Sequence, residues 1–388
     1  MTEENDDWLE PEEEEREEVQ IEEYELTASP NDFNILTINS FIESGAVKIP
    51  GFQRHYVWDL KRASKLIESI IIGIPVPQIF LYEEKRNSFL VIDGQQRLMS
   101  IYYFMKQRFP RKEKRGELRR IFDEQGKIPD AVLQDDRYFE KFNLKLAEIA
   151  QDKPNKFSGK NYATLDEYRT QFDLRTIRNV IVKQNVPKDD DSSIYEMFNR
   201  LNTGGINLTS QEIRASLYHS PFYKMLYKTN ILPEWRRLLG IAETDLHMRD
   251  IEILLRSIAM LIEGDTYSSS MASFLNRFSK NAKAFPIERV NYFEQLFRAF
   301  LSATGDLPAN AFLGKTGKFS LPMFEAVFAS ICKDAFIAGN TDVPRLSAEA
   351  INTLKSDDEF SHYSQAQSTN RSNVAGRLKR ACEILIAN

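Results

Sequence analysis

Cysteine and histidine are scarce in this chain of 388 residues, which holds two of the former and four of the latter. Cys332 and Cys382 lie in apolar surroundings and read as reduced core thiols rather than as a disulfide or a metal site. The histidines fit neither H-E-x-x-H nor any zinc-ligand spacing. There is no Walker A string G-x-x-x-x-G-K-[ST], and no repeat with a period of about 20 to 50 residues. No stretch approaches the ~20 uncharged apolar residues of a membrane helix. The N-terminus is acidic where a secretory signal is basic and apolar, so the expected compartment is the cytoplasm. What is present is 42% hydrophobic content over a length sufficient for two packed domains, a composition too apolar for general disorder.

The net charge of −6 conceals an asymmetry, because Met1 to Glu25 carry fourteen acids against the single base Arg16. The remainder, Leu26 to Asn388, is therefore basic. Residues 1–25 read as a disordered acidic tail. Such a tail either solubilises the chain or competes with DNA phosphates for the basic body.

Residues 26–219 carry mixed helix and strand signals. A first helix is expected at Thr37 to Ile42 with Thr37 as its cap, then a short strand over Val47 to Ile49 ended by Pro50. Leu60, Ala63, Leu66, Ile67, Ile70 and Ile71 follow the 3.6-residue period of an amphipathic helix from Leu60 to Ile72. Ile79 to Tyr82 and Phe89 to Ile92 form a hairpin pattern around Arg86-Asn87-Ser88. Residues 106–135 look like a basic insertion: Lys106 to Arg120 hold eight basic residues, either a solvated face or a contact for phosphate backbone. Further strands are expected at Phe142 to Leu144 and Ile177 to Val182, and a helix from Ile194 to Leu201. Thr209-x-x-Glu212 is a capping box. Residues 220–388 read as helical, including Ile251 to Leu261 and Phe324 to Phe336. The fold class is α+β followed by a mostly helical domain.

Three segments carry chemistry. Phe89 to Leu98 is a strand, the turn Asp93-Gly94, and a helix start. Backbone N–H groups and the helix dipole there favour an anion, and Gly94 allows close approach. Arg97 can grip a phosphate bidentately, Asp93 can bind Mg²⁺, and Gln95 or Gln96 can orient a water; a plain Asp-Gly turn is the alternative. The second segment, Ile49 to Trp58, alternates Tyr56 and Trp58 with Arg54 and His55. It either stacks on a base or anchors the following helix to the core. The third is Phe198-Asn199-Arg200-Leu201-Asn202-Thr203-Gly204-Gly205, followed by Leu208 and Glu212; helix capping explains much of it.

In this order the strings Pro-x-Phe-Gln-Arg-x-Tyr-x-Trp, Asp-Gly-Gln-Gln-Arg-Leu and Phe-x-Arg-Leu-Asn-x-Gly-Gly-x-x-Leu-x-x-x-Glu resemble the N-terminal domain family of the GmrSD-type modification-dependent restriction endonucleases, over about Ile35 to Tyr218. The resemblance implies a ParB- and sulfiredoxin-like fold for 26–219. It implies a nucleoside triphosphatase loop at Asp93 to Arg97, with Gln53 and Arg54 beside it and modified-DNA sensing around Arg54, Tyr56 and Trp58. The resulting expectation assigns Asp93, Gln95, Gln96, Arg97 and Arg54 to catalysis with Mg²⁺ on Asp93. Gln53, Gly94, Asn202 and Gly205 go to the nucleotide. Larger members append an HNH nuclease; His362 lacks the surrounding ligands such a site needs, so cutting is expected from a separate partner subunit, and an oligomer is possible. The competing reading is a ParB-like DNA-binding module that does not hydrolyse nucleotide.

Overall fold

A computed structural model describes residues 8–10, 25–48, 56–118, 121, 128–148, 155–186, 193, 194, 197, 201, 209–245, 247–268, 270–365 and 367–386. The backbone divides into two compact units, Glu22–Ser216 and Met1–Ile21 with Leu217–Asn388. Among the described residues no helix is long and apolar enough to cross a membrane.

The Glu22–Ser216 unit is built on a five-stranded mixed sheet with the order β1-β7-β3-β4-β2. Its strands are β1 (Glu25–Asn34), β2 (Val47–Lys48), β3 (Ile79–Lys85), β4 (Ser88–Asp93) and β7 (Thr176–Val186); β5 (Arg108–Pro110) and β6 (Phe139–Lys141) form a separate pair. β3 and β4 are the expected hairpin, antiparallel and joined through Asn87 at φ 60°. β1 carries no clear strand signal, because Pro30, Asn31 and Asp32 interrupt it. It forms at the sheet edge, antiparallel to β7, where a proline without an N–H is tolerated.

Among the described residues the α-helices given bounds in this unit are α1 (Ile35–Glu43), α2 (Leu60–Ile72), α3 (Gln95–Met105), α4 (Asp130–Leu133), α5 (Tyr168–Leu174) and α6 (Ser210–Leu217). α1 starts two residues before the expected position. Asn34, a stronger cap than Thr37, accepts from the Thr37 N–H at 2.8 Å. α2 keeps its expected bounds: Asp59 caps it and Gly73, at φ 83°, ends it in left-handed backbone. Its buried face of Ala63, Leu66, Ile67, Ile70 and Ile71 meets a core that includes Leu98, Ile101 and Phe104 of α3. Each leucine and isoleucine of that face contributes about 1.5–3 kcal/mol by leaving water.

The strand expected at Phe142 to Leu144 lies instead at Phe139–Lys141, paired with Arg108–Pro110. Phe142 and Leu144 are still buried, but as loop residues. The Phe142 N–H goes to the Gln107 carbonyl, and Leu144 exchanges backbone bonds with Gly159 and Lys160. Burial pattern alone could not separate the two cases. The capping box is present: Thr209 N–H donates to Glu212 Oε2 at 2.8 Å and Glu212 N–H to Thr209 Oγ1 at 3.2 Å.

The other unit is helical, with α7 (Pro221–Asn230), α8 (Pro233–Leu239), α9 (Arg249–Glu263), α10 (Met271–Ala282), α11 (Ile287–Ala303), α12 (Leu321–Ala338), α13 (Ala348–Ser356), α14 (Asp358–Ser364) and α15 (Arg371–Ile386). An aromatic cluster around Phe324 joins Trp235, Phe300, Phe312 and Phe319. Glu325 on α12 lies between Arg256 of α9 and Arg377 of α15, and all three side chains are wholly buried. Three residues of the acidic tail, Trp8 to Glu10, depart from the solvated-tail expectation, and the Glu10 N–H donates to the Phe319 carbonyl. Leu9 forms a bridge with Phe319, and Trp8 Nε1 donates to Asp245 Oδ2 at 3.0 Å.

Removing the carboxylate charge from the buried triad leaves two guanidinium groups without their shared anion. Glu325→Gln is therefore expected to cost ~3–5 kcal/mol in urea unfolding. A loss below about 1 kcal/mol, the range of an exposed pair, would show that solvent reaches the triad.

Candidate functional site

Strand β4 delivers Asp93 to the sheet end, and the chain turns into α3 within one residue. Phe89 to Ile92 supply the β-branched and aromatic run that forms the strand. Gly94 then adopts φ 98°, a left-handed conformation that disfavours any side chain. Space enforces the same choice, since a Cβ on Gly94 would lie 2.9 Å from Ile79 Cγ1. Leu98 N–H closes the first helical bond onto the Gly94 carbonyl at 2.9 Å. Among the described residues no side chain caps this helix. The turn thus combines an N-terminus without a capping side chain and the positive end of an eleven-residue helix.

Arg97 folds back over the turn. Its Nη2 donates to Asp93 Oδ2 at 2.8 Å and to the Gln78 carbonyl at 3.1 Å, while its buried Nε has no hydrogen-bond partner among the described residues. The Asp93 side chain is 38% exposed, against 14% for Arg97, so the carboxylate is the part open to solvent. The two glutamines are turned to other work than holding water. Gln96 Oε1 accepts from the N–H groups of Val57 and Trp58 at 3.0 and 3.4 Å, and Gln95 is buried with its amide against Met99 Sδ. Gln96 therefore fastens the aromatic segment to the turn.

Tyr56 is buried at 4% exposure, edge-on to Tyr103 and Phe109, and its hydroxyl shares a 2.8 Å hydrogen bond with Ser100. Burial pushes its phenol well above the ordinary range. A ring so enclosed has no free face for a base, and the sensing expectation for Tyr56 gives way to the anchoring one. Trp58 is half-buried with the Arg62 guanidinium 4.7 Å from its ring centroid.

The basic run is similarly absorbed by the fold. Arg115 Nη2 donates to the Trp58 carbonyl at 2.8 Å and its guanidinium lies over the Tyr56 ring. Arg108 is buried and bonds Asp136 and the Leu133 carbonyl. Lys106 pairs with Glu43, which raises the lysine pKa, and Lys114 pairs with Glu117. Much of the run that read as a phosphate contact is held by carboxylates and carbonyls of the unit itself.

Gln53 and Arg54 lie outside the described residues, as do Asn202 and Gly205. Among the described residues no group of three His, Cys, Asp or Glu side chains could hold a metal. A Mg²⁺ ion fits the turn only as such ions are held beside nucleotides, by one carboxylate, here Asp93, with phosphate oxygens and water completing the shell. Glu212 is buried in its capping box. Sequence reasoning passed over Asn179, which pairs across the sheet with Ile79, the neighbour of Gly94. It is 1% exposed and its Oδ1 has no hydrogen-bond partner among the described residues. Its signal was an asparagine inside the run Ile177 to Val182.

Residues 35–219 match the family model described as GmrSD restriction endonuclease, N-terminal domain. No curated protein and no solved structure matches the chain.

The left-handed turn sets one stability test. Gly94→Ala is expected to lower the unfolding free energy by ~1–2 kcal/mol, the cost of a side chain in that conformation. Unchanged urea stability would mean that the turn relaxes to ordinary backbone.

Proposed function

We propose, from the match of residues 35–219 to the family of GmrSD restriction endonuclease N-terminal domains, a Mg²⁺-dependent nucleoside triphosphatase that senses DNA within a restriction system. The observation that carries the reading is the Asp93-Gly94 turn: among the described residues, a helix start without a side-chain cap, beside an arginine whose Nε lacks a hydrogen-bond partner. Anions are favoured at such a helix start by its N–H groups and dipole. A phosphate arriving there meets the first turn of α3 and competes with Asp93 for the Arg97 guanidinium.

In this reading Arg97 and the backbone after Gly94 hold the phosphates. Asp93, released from its ion pair, holds the metal or the attacking water. Bound Mg²⁺ supplies neutralisation of phosphate charge. The family resemblance assigns Arg54 to the charge that develops on the transferring group, and Gln53, Asn202 and Gly205 to the nucleotide. Gln95 and Gln96 act as positioning residues, Gln96 by tying Val57 and Trp58 to the turn. The unit is read as a ParB- and sulfiredoxin-like domain, and strand cleavage is assigned to a separate nuclease subunit.

One observation favours a second reading. Both glutamines that could orient a water are engaged in packing, which suits a DNA-binding module that holds nucleotide without hydrolysing it.

Phosphate release with Mg²⁺ and each of ATP, GTP, CTP and UTP, with and without modified DNA, separates the two. Turnover that falls at least about a hundredfold in Arg97→Ala, the scale of losing one charge-stabilising donor, supports the hydrolase. No turnover with any nucleotide, while DNA binding persists, leaves the binding module.

A further inference from the structure

Within the helical unit a cavity of about 550 Å³ opens beside the turn Gly314-Lys315-Thr316-Gly317. Its lining includes Lys315, Thr316, Lys355, Ser361, Ser364 and, from the other end of the chain, Glu10. The lysines each donate to a neutral oxygen: Lys315 to Ser361 Oγ at 2.8 Å and Lys355 to the Asn310 carbonyl at 3.2 Å. Neither has an ion-pair partner among the described residues, in a unit where arginines such as Arg249, Arg256, Arg377 and Arg380 are all paired. Burial lowers the pKa of Lys355, so its charge is held at a cost that an incoming anion would offset. Ser364 Oγ is buried and has no hydrogen-bond partner among the described residues.

The group already at the mouth is a carboxylate. Glu10 Oε1 accepts from the Thr316 hydroxyl at 2.7 Å. A Cβ on Gly314 would overlap the same carboxylate, so the backbone approaches it as closely as glycine permits. The short segment that delivers Glu10 is anchored at several points. Phe319 N–H donates to the Trp8 carbonyl and Glu10 N–H to the Phe319 carbonyl, at 2.8 and 2.9 Å. The Trp8 ring is bonded through Nε1 to Asp245 and lies under the Arg249 guanidinium.

We propose that this cavity is a phosphate-binding site and that Glu10 stands in it as an intramolecular substitute for the ligand, so that the residues Trp8 to Glu10 guard it. The recognising chemistry is two lysine ammonium groups, the Thr316 hydroxyl and the Ser364 hydroxyl, a set matched to the oxygens of a phosphate group. The phosphate belongs either to a small di- or triphosphate or to a polynucleotide backbone. Release of Trp8 and Glu10 opens the site. The proposal is independent of the turn at Gly94.

The test uses the full chain carrying Arg97→Ala, which removes the other proposed phosphate contact, at low ionic strength where such interactions are least screened. Binding of pyrophosphate and of a short duplex DNA is measured by titration calorimetry. Glu10→Gln and, separately, Trp8→Ala are expected to tighten binding about tenfold, the scale of one charge-assisted hydrogen bond. Adding Lys315→Ala with Lys355→Ala is expected to abolish the gain. A gain for pyrophosphate only identifies a small phosphate ligand, and a gain for the duplex identifies the polynucleotide. Asp265→Asn removes the same charge from an exposed position of the same unit, where the aspartate side chain is 89% exposed. An equal gain in that variant, or no gain in Glu10→Gln and Trp8→Ala, overturns the proposal.

Discussion

The left-handed turn at Gly94 is the constraint on which the α/β unit depends. It changes the chain from strand to helix in one residue, in a space closed by Ile79. Because α3 begins there, Gln96 reaches Val57 and Trp58, and Arg97 reaches Asp93 and Gln78. Tyr56, beside the segment that Gln96 fastens, closes over Ser100 and Tyr103 of the same helix. One backbone conformation thus sets the helix dipole, the arginine and the aromatic segment together.

Several polar residues of this region serve the fold before they serve chemistry. Gln96 satisfies two backbone N–H groups, Arg115 satisfies a carbonyl, and the Tyr56 hydroxyl meets Ser100. Left unpaired under cover, such groups would each cost about 1–3 kcal/mol. Against that background Asp93, Arg97 Nε and Asn179 Oδ1 stand out. Asp93 is the solvent-facing half of an ion pair, and the other two are buried without hydrogen-bond partners among the described residues.

The helical unit handles charge differently. Its buried arginines are neutralised inside, around Glu325 and Asp250. Lys315 and Lys355 instead face a cavity with Glu10 at its mouth. The acidic N-terminal sequence therefore has a structural counterpart at Trp8 to Glu10 in addition to its bulk charge. Coulomb attraction draws such a segment to a basic cavity, and the indole of Trp8 supplies the directional bond that fixes its register.

Local signals in the sequence determined a good part of this protein. The 3.6-residue stripe of α2, the β3–β4 hairpin, the Thr209–Glu212 capping box and the strand-glycine-helix turn at Gly94 all rest on interactions within a few residues, and the three motifs carried the resemblance that the family match over residues 35–219 bears out. Tertiary structure decided the rest. β1 exists because β7 offers an edge on which Pro30 is tolerated. Phe142 is buried without joining a ladder because its N–H is taken by Gln107. Tyr56 became an anchor, the basic run was claimed by Glu43, Asp136 and the Trp58 carbonyl, and Glu10 came to rest more than three hundred residues away at Thr316. Composition and spacing show which groups can bond; which partner each one takes depends on burial, and burial is a property of the folded chain.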